Sequence, residues 1–216
     1  RDYLIKRGFL RENIVRYCYR PFDLRWLYWE PETKLLDEKR AAYVGEVFGT
    51  NPCIVAVEKA RRETARAQVG RNVGSLHLME RGASYFPLYL RSNGKHGSLF
   101  HGEREIKANL SDQATSYVGR LSVSEADLFH HAVSVSHAPA YLSENHDALR
   151  QDWPRVPLPA KPEALLKSAA LGRQIAALLD PEAPIKGVTS GGLRPELKLI
   201  GLIRRAGGAV IEVPVN

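Results

Sequence analysis

The sequence predicts an α+β fold, with a mixed, strand-containing N-terminal lobe followed by a mostly helical C-terminal lobe. Aromatic and β-branched residues, which favour strands, are concentrated in residues 17–29, 53–57 and 84–90. In the second half, apolar residues recur at helical spacing instead. We therefore expect one lobe over residues 1–120 and a second over residues 121–216, packed on the first.

Strands in the first lobe are predicted from short apolar runs between turn residues. We expect the aromatics of residues 17–29 to lie mainly in the core rather than to form an exposed stacking surface. Apolar spacing predicts a helix over residues 34–48 and a turn at residues 49–52. Pro87 places the strand at residues 84–90 on a sheet edge, because proline cannot donate to a ladder.

The second lobe is predicted to begin with a capped helix. Ser122 and Glu125 have the spacing of a capping box, in which each side chain bonds the other residue's backbone amide. A second helical stretch is predicted from Pro139. The histidines at 130, 131 and 137 have no cysteine partner and no metal-protease spacing, so we interpret them as packing or solvent-facing residues.

Three prolines in residues 153–159 predict an extended connector. We expect Trp153, Val156 and Leu158 to be buried there and to fix the helical lobe on the first lobe. A further helix is predicted after Pro162, with an apolar face that includes Leu165. Its small residues would let a partner helix approach closely; they are Ala169, Gly172 and Ala176.

The net charge of +7 lies entirely in the first half of the chain. Residues 1–107 hold 20 Lys and Arg against 13 Asp and Glu, whereas residues 108–216 hold 11 of each. Arginine supplies 14 of the 20 cations, and its planar fork suits phosphate oxygens and guanine edges. The first half is therefore either a nucleic-acid surface or a solvated basic surface.

No motif for catalysis, phosphate binding or metal binding was found in the sequence. Residues 51–54 read NPCI, which lacks the second proline and the stacking aromatic of the amino-methyltransferase loop, so we predict a turn there. Cys18 and Cys53 form no motif and are predicted to be reduced thiols of a cytoplasmic protein. No apolar run is long enough for a membrane span, and the start at Arg1 suggests part of a longer protein.

Residues 19–28 read YRPFDLRWLY. This segment resembles the one that follows the methyltransferase domain in type ISP and related single-chain restriction-modification enzymes. Further agreements follow in the same order: HLMERG at 77–82, FPLYL at 86–90, NLS at 109–111, DLFHH at 127–131, HAPAY at 137–141, DWPRVPLP at 152–159, LG at 171–172 and PIKGVT at 184–189.

The resemblance implies the C-terminal target-recognition region of an adenine-N6 DNA methyltransferase. The implied partners are double-stranded DNA and a methyltransferase domain of the same polypeptide, with no membrane. The implied cofactor is S-adenosylmethionine, bound by that other domain, and we expect no cofactor in this chain. The resemblance brings no catalytic residue with it.

The predicted DNA-binding residues come from the basic stretch at 59–81 and the polar segment at 91–120. Asn72, Asn93 and Gln113 have side chains that could read adenine, and the arginines could read guanine. The candidates are Arg61, Arg62, Arg66, Arg71, Asn72, Arg81, Arg91, Lys95, Lys107 and Arg120. The alternative is a protein interaction module of the same enzyme that makes no DNA contact.

Overall fold

Strands occupy the first part of the chain and helices most of the rest, which confirms the predicted α+β class. The computed structural model describes residues 2–30, 33–36, 41–47, 51–61, 66–80, 82–91, 106–184, 186, 203–204 and 210–211. The helices are α1 (Asp2–Arg7), α2 (Ala41–Val44), α3 (Asp112–Leu121), α4 (Glu125–His137), α5 (Pro139–Glu144), α6 (His146–Leu149) and α7 (Pro162–Leu179). The strands are β1 (Ile14–Arg20), β2 (Asp23–Tyr28), β3 (Cys53–Ala56), β4 (Gln68–Gly70), β5 (Val73–Gly74), β6 (Ser84–Pro87), β7 (Tyr89–Arg91), β8 (Ile106–Ala108), β9 (Ile203–Arg204) and β10 (Val210–Ile211).

The chain divides into two compact units, Arg1–Pro181 and Glu182–Asn216. In the second unit, β9 and β10 form an antiparallel pair. The predicted lobe boundary at residues 120 and 121 falls within the last turn of α3, and the division into two lobes there stays a prediction. No helix among the described residues is long and apolar enough to cross a membrane.

The N-terminal aromatic run folds as a β-hairpin. Strands β1 and β2 pair antiparallel, and β5 joins β1 as a parallel neighbour. Pro21 and Phe22 form the turn, where Phe22 has a φ of 64°, a conformation that bulky residues rarely adopt. The prediction that these aromatics lie mainly in the core is wrong, because Tyr19, Phe22 and Trp26 are 38%, 60% and 67% exposed and the others are only partly buried.

A second sheet has the order β4-β3-β6, with antiparallel pairing throughout. The predicted edge position of Pro87 is confirmed, because β6 is an outer strand. The single strand expected over residues 84–90 is instead two strands in different sheets, with Leu88 between them. The helix expected over residues 34–48 is also wrong at its start, since residues 34–36 lie in a turn.

Helices α4 and α7 pack closely where a glycine removes the side chain between them. Leu165 and Ala169 of α7 are fully buried. A Cβ built on Gly172 would lie 1.8 Å from the carbonyl oxygen of His130 in α4. The predicted close approach of a partner helix at the small residues of α7 is therefore confirmed at Gly172.

The capping box that opens α4 lies two residues later than predicted. Ser124 is the N-cap, its Oγ accepts from the Asp127 amide at 3.1 Å, and Asp127 accepts from the Ser124 amide at 2.9 Å. Ser122 adopts a left-handed conformation and caps the C-terminus of α3 instead. Either serine could cap the start of α4 by its local sequence. Because α3 ends at Leu121, Ser122 caps the end of that helix, and Ser124 becomes the N-cap of α4.

The connector at residues 153–159 contains no helix or strand, and three side chains donate hydrogen bonds to its carbonyl oxygens. Tyr117 Oη donates to Pro159 at 2.7 Å, Tyr141 Oη donates to Arg155 at 3.0 Å, and His131 Nε2 donates to Pro157 at 2.8 Å. The expected burial of its apolar residues is wrong for Trp153 and Leu158, which are 37% and 51% exposed, and Val156 is half-buried. Hydrogen bonds therefore hold the connector where proline leaves the backbone few donors.

Candidate nucleic-acid interface

Strands β7 and β8 form a two-stranded antiparallel ribbon with cations from both strands. Leu90 lies opposite Lys107, and Arg91 lies opposite Ile106. Lys107 is exposed and Arg91 is half-buried. Residues 92–105, which connect the strands, lie outside the described residues and include the candidates Asn93 and Lys95. A two-stranded ribbon of this kind fits the DNA major groove.

Asn51 anchors the ribbon from the side opposite β8. Its side chain pairs with Tyr89 in both directions, because Nδ2 donates to the Tyr89 carbonyl at 2.9 Å and Oδ1 accepts from the Tyr89 amide at 3.1 Å. Nδ2 also donates to the Glu46 carbonyl at 3.0 Å, and the Glu46 carboxylate accepts from the Arg91 amide at 2.8 Å. Buried Asn51 thus takes the place of a neighbouring strand. The turn predicted at residues 51–54 is wrong, because Cys53 and Ile54 begin strand β3.

The base of the ribbon is fixed to the core. Asn109 donates from its backbone to Leu88 and from its side chain to Pro87, both at 2.9 Å. Leu88 is buried in one cluster with Phe129 and Val133 of α4. The ribbon therefore projects from a rigid base, which is the arrangement that recognition segments require.

Arg61 and Arg66 lie on the segment between β3 and β4, and both are exposed. The Arg61 amide donates to the Glu80 carboxylate at 3.1 Å, which fixes the backbone and leaves the guanidinium at the surface. Beside Arg66, His137 Nε2 donates to the Ala67 carbonyl at 2.8 Å. Burial, together with the charge of Arg66, lowers the pKa of His137 and favours its neutral ring, although the hydrogen bond to Ala67 opposes this shift.

Arg71 lies in the turn between β4 and β5, where it forms an ion pair with Asp180 at the end of α7. A groove of about 310 Å³ lies beside this pair. Arg173, which the sequence analysis missed, lines the same groove and forms an ion pair with Asp127. Each guanidinium here has a carboxylate partner, so a phosphate or base would have to share it.

Two other candidates lie on different elements. Asn72 is half-buried, and its carbonyl accepts a hydrogen bond from Tyr43 Oη at 3.4 Å. Arg120 is exposed on α3, with its guanidinium 5.6 Å from the centre of the Tyr117 ring. Arg62, Arg81 and Lys95 lie outside the described residues.

The described candidates are therefore spread over several elements, and the strand register brings Arg91 and Lys107 onto one ribbon. The β1–β2 hairpin holds further cations that the sequence analysis missed. Arg16 lies over Trp26 at 4.7 Å, and Arg25 lies over Tyr19 at 4.2 Å. The first pair could have been found from the pairing of the two strands, because Arg16 and Trp26 lie directly opposite each other in the hairpin.

Hydrogen bonds to neighbouring elements hold the buried histidine His131 in place. His131 is buried, with Nε2 on the Pro157 carbonyl and Nδ1 accepting from Ser168 Oγ at 2.8 Å. Within the ranges that the structure describes, no group of three or more His, Cys, Asp or Glu is placed to hold a metal ion. Both cysteines are free thiols, and burial raises the pKa of Cys18 to about 11 and of Cys53 to about 12. Neither is an activated nucleophile.

Comparison with solved structures gives long matches to DNA complexes. The DrdV–DNA complex matches at 25% identity and a TM-score of 0.64, covering 80% of this chain and 16% of that one. The ATP-dependent Type ISP restriction-modification enzyme LlaBIII bound to DNA matches at 19% identity and a TM-score of 0.62, covering 82% of this chain and 12% of that one. A third match is a nuclease-deletion mutant of the Type ISP restriction-modification enzyme LlaGI in complex with a DNA substrate mimic. It has 17% identity and a TM-score of 0.61, and the match covers 95% of this chain and 15% of that one.

The second and third matches show a shared fold, and in all three this chain spans about a sixth or less of the matched protein. Comparison with curated proteins gives no significant match. The family model of the Type ISP C-terminal specificity domain matches residues 2–183. The target-recognition role predicted from the sequence is confirmed by this match. The chain belongs to the Type ISP C-terminal specificity domain family.

Proposed function

We propose that the chain reads a short target sequence in double-stranded DNA, as the specificity domain of a larger restriction-modification adenine-N6 methyltransferase. The observation that supports this most is the β7–β8 ribbon, which carries Arg91 on one strand and Lys107 on the other, one on each face, over a base fixed by Asn51 and Asn109. The DNA complexes among the structural matches support the same proposal.

The rest of the enzyme is part of the proposal. A separate methyltransferase domain of the same polypeptide binds S-adenosylmethionine and methylates the adenine, while this chain supplies the sequence preference. A cytoplasmic location follows, because the DNA and the methyl donor are found there.

A salt titration tests DNA binding by this chain. Affinity for a labelled duplex should fall linearly with the logarithm of salt concentration, with a slope of roughly −0.9 per phosphate contacted. If Arg91 and Lys107 both contact phosphates, the double variant Arg91→Ala/Lys107→Ala should flatten that slope by about two units. If Arg91 reads a base instead, only Lys107 affects the slope, which should change by about one unit. The matched control removes two exposed lysines at the start of α7, Lys161→Ala/Lys167→Ala, and should bind as wild type.

A second variant tests whether the basic segment between β3 and β4 binds DNA. Reversing the charge of Arg61, Arg62 and Arg66 together should weaken binding to all sequences, because phosphate contacts carry no sequence information. If both sets of variants bind as well as wild type at every salt concentration, the DNA surface lies elsewhere. The protein interaction module is then the better interpretation.

Sequence reading requires a second measurement. Repeated selection from a pool of random duplexes should enrich one short asymmetric sequence. Loss of a residue that reads a base should then cost about 1–3 kcal/mol on that sequence and little on a scrambled one. Arg71, Asn72 and Arg91 are the candidates for this behaviour. A pool that stays random after selection would refute sequence reading while leaving non-specific binding intact.

A further inference from the structure

The N-terminal segment, residues 2–30, exposes more large apolar side chains than any other stretch of similar length among the described residues. It holds seven of the fifteen exposed large hydrophobic residues found there, and five of the seven are aromatic. They are Tyr3, Ile5, Phe9, Ile14, Tyr19, Phe22 and Trp26. Concentrated apolar exposure marks an interaction surface rather than ordinary solvent-facing surface.

The exposed side chains stand on a rigid support. Arg7 of α1 forms a hydrogen-bonded ion pair with Glu30, which is fully buried. The Leu10 amide donates to Tyr28 Oη at 3.2 Å, and the Phe9 ring stacks on the Tyr28 ring at 5.3 Å. Helix α1 is therefore fixed on the hairpin, and the apolar side chains are exposed although the backbone below them is held.

The turn between β1 and β2 also exposes a large aromatic side chain. Phe22 is 60% exposed and has a φ of 64°, which costs free energy for a residue with a bulky side chain. Within this chain the Phe22 ring is only partly covered, so its burial offsets little of the strain in the turn. A partner that accepts the ring would offset both the strain and the exposure.

The composition of the segment favours a protein partner over DNA. The phosphate backbone of duplex DNA attracts cations, whereas an exposed aromatic side chain gains little from contact with that backbone. Protein interfaces are instead enriched in Trp, Tyr, Phe and Arg together. Residues 2–30 hold six basic and four acidic residues, and two of the acids already pair with Arg7 and Arg25. The partner surface should therefore be apolar with carboxylates at its rim.

We propose that the N-terminal segment docks on another folded domain of the same polypeptide. This rests on the proposed place of the chain in a larger enzyme. The chain spans only 12–16% of the structurally similar proteins, and its family is a C-terminal domain by description. In such a polypeptide the preceding domain connects to the specificity domain through α1, which places it beside this segment.

Site-specific photo-crosslinking in the natural polypeptide that contains these 216 residues tests the docking. A benzophenone amino acid replaces Phe9 or Trp26, and in matched controls it replaces Leu171 or Leu178, which are exposed on α7. Irradiation with and without duplex DNA should give protein crosslinks within one polypeptide from positions 9 and 26, at least tenfold above the controls and independent of DNA. Crosslinks to DNA, crosslinks between two copies, or yields equal to the controls would each overturn the proposal.

Hydrogen exchange gives a readout that needs no substitution. Amides of β2, an edge strand, should exchange at least tenfold more slowly in the larger polypeptide than in the 216-residue chain. Equal exchange in the two would contradict docking. DNA affinity measured on the same preparations separates the outcomes, because loss of specific DNA binding affects the proposed function and not the interface between domains.

Discussion

Replacing Gly172 by alanine tests the contact that joins α4 and α7. The new Cβ would lie 1.8 Å from the His130 carbonyl oxygen and 2.6 Å from the carbonyl carbon of the same residue. These are backbone atoms, so no side-chain rotation relieves the overlap. A normal contact requires the two helices to move apart by more than an ångström, which also opens the packing around Leu165 and Ala169.

The expected loss in the free energy of unfolding can be estimated from two opposing effects of Gly172→Ala. Overpacking a close-packed interior costs about 1–3 kcal/mol and sometimes more. Alanine recovers roughly 1 kcal/mol of helix propensity relative to glycine. Because the obstacle is rigid and deeply placed, we expect Gly172→Ala to lower the free energy of unfolding by about 2 kcal/mol. For a chain of this size that corresponds to a fall in Tm of roughly 4–8 °C.

Thermal and urea unfolding followed by circular dichroism measure both values. The matched control is Gly119→Ala in α3, where a Cβ meets no atom within 4 Å. That variant should be unchanged or more stable by roughly 0.5–1 kcal/mol, since only the propensity changes. If Gly172→Ala is as stable as Gly119→Ala, the close approach of the two helices is not as described and the reasoning fails.

Three further predictions concern the ribbon anchor, acid stability and catalysis. Asn51→Ala should lower the free energy of unfolding, measured in urea, by about 2–4 kcal/mol, because it leaves buried backbone groups unpaired. The control is Asn145→Ala, whose side chain donates to the Tyr141 carbonyl one turn earlier in the chain. Its loss of unfolding free energy should be under about 1 kcal/mol. Burial raises the pKa of Asp127, but hydrogen bonds from Ser124 and Arg173 outweigh it and hold the pKa below its usual value. Its contribution to stability is therefore present above about pH 4. It is lost as the pH falls towards the folded-state pKa, so Asp127→Asn should flatten the acid limb of a pH titration of Tm, and an unchanged limb would argue against the assignment. The purified chain should transfer no methyl group from radiolabelled S-adenosylmethionine to DNA, and incorporation that survives purification to homogeneity would refute this.

The order of several short motifs placed the chain in its family, and the family match over residues 2–183 confirms that placement. Local rules also predicted the close helix contact of α7 and the extended connector. Helical periodicity puts Leu165, Ala169 and Gly172 on one face whatever lies opposite. Proline restricts its own φ and disfavours the helical conformation of the residue before it, so a helix over residues 153–159 is disfavoured whatever packs against them.

Tertiary structure decided the features that depend on distant partners. Asn51 pairs with Tyr89 across 38 positions of sequence, and no local pattern marks either residue. The aromatics at residues 17–29 could be assigned to strands, but which of them are buried depends on what packs on the hairpin. Cys18 meets the cluster around Val55 and Leu78, whereas Trp26 meets Arg16 and solvent.

The predicted DNA-binding residues illustrate the same limit. Arginine content identified a basic half, because charge is a property of composition. It did not identify which guanidinium has a carboxylate beside it, as Arg71 has in Asp180 from the far end of α7. That pairing is set by how the sheet and helices pack. The sequence therefore determined the family and the kind of surface, and only the fold determined which cations share the β7–β8 ribbon.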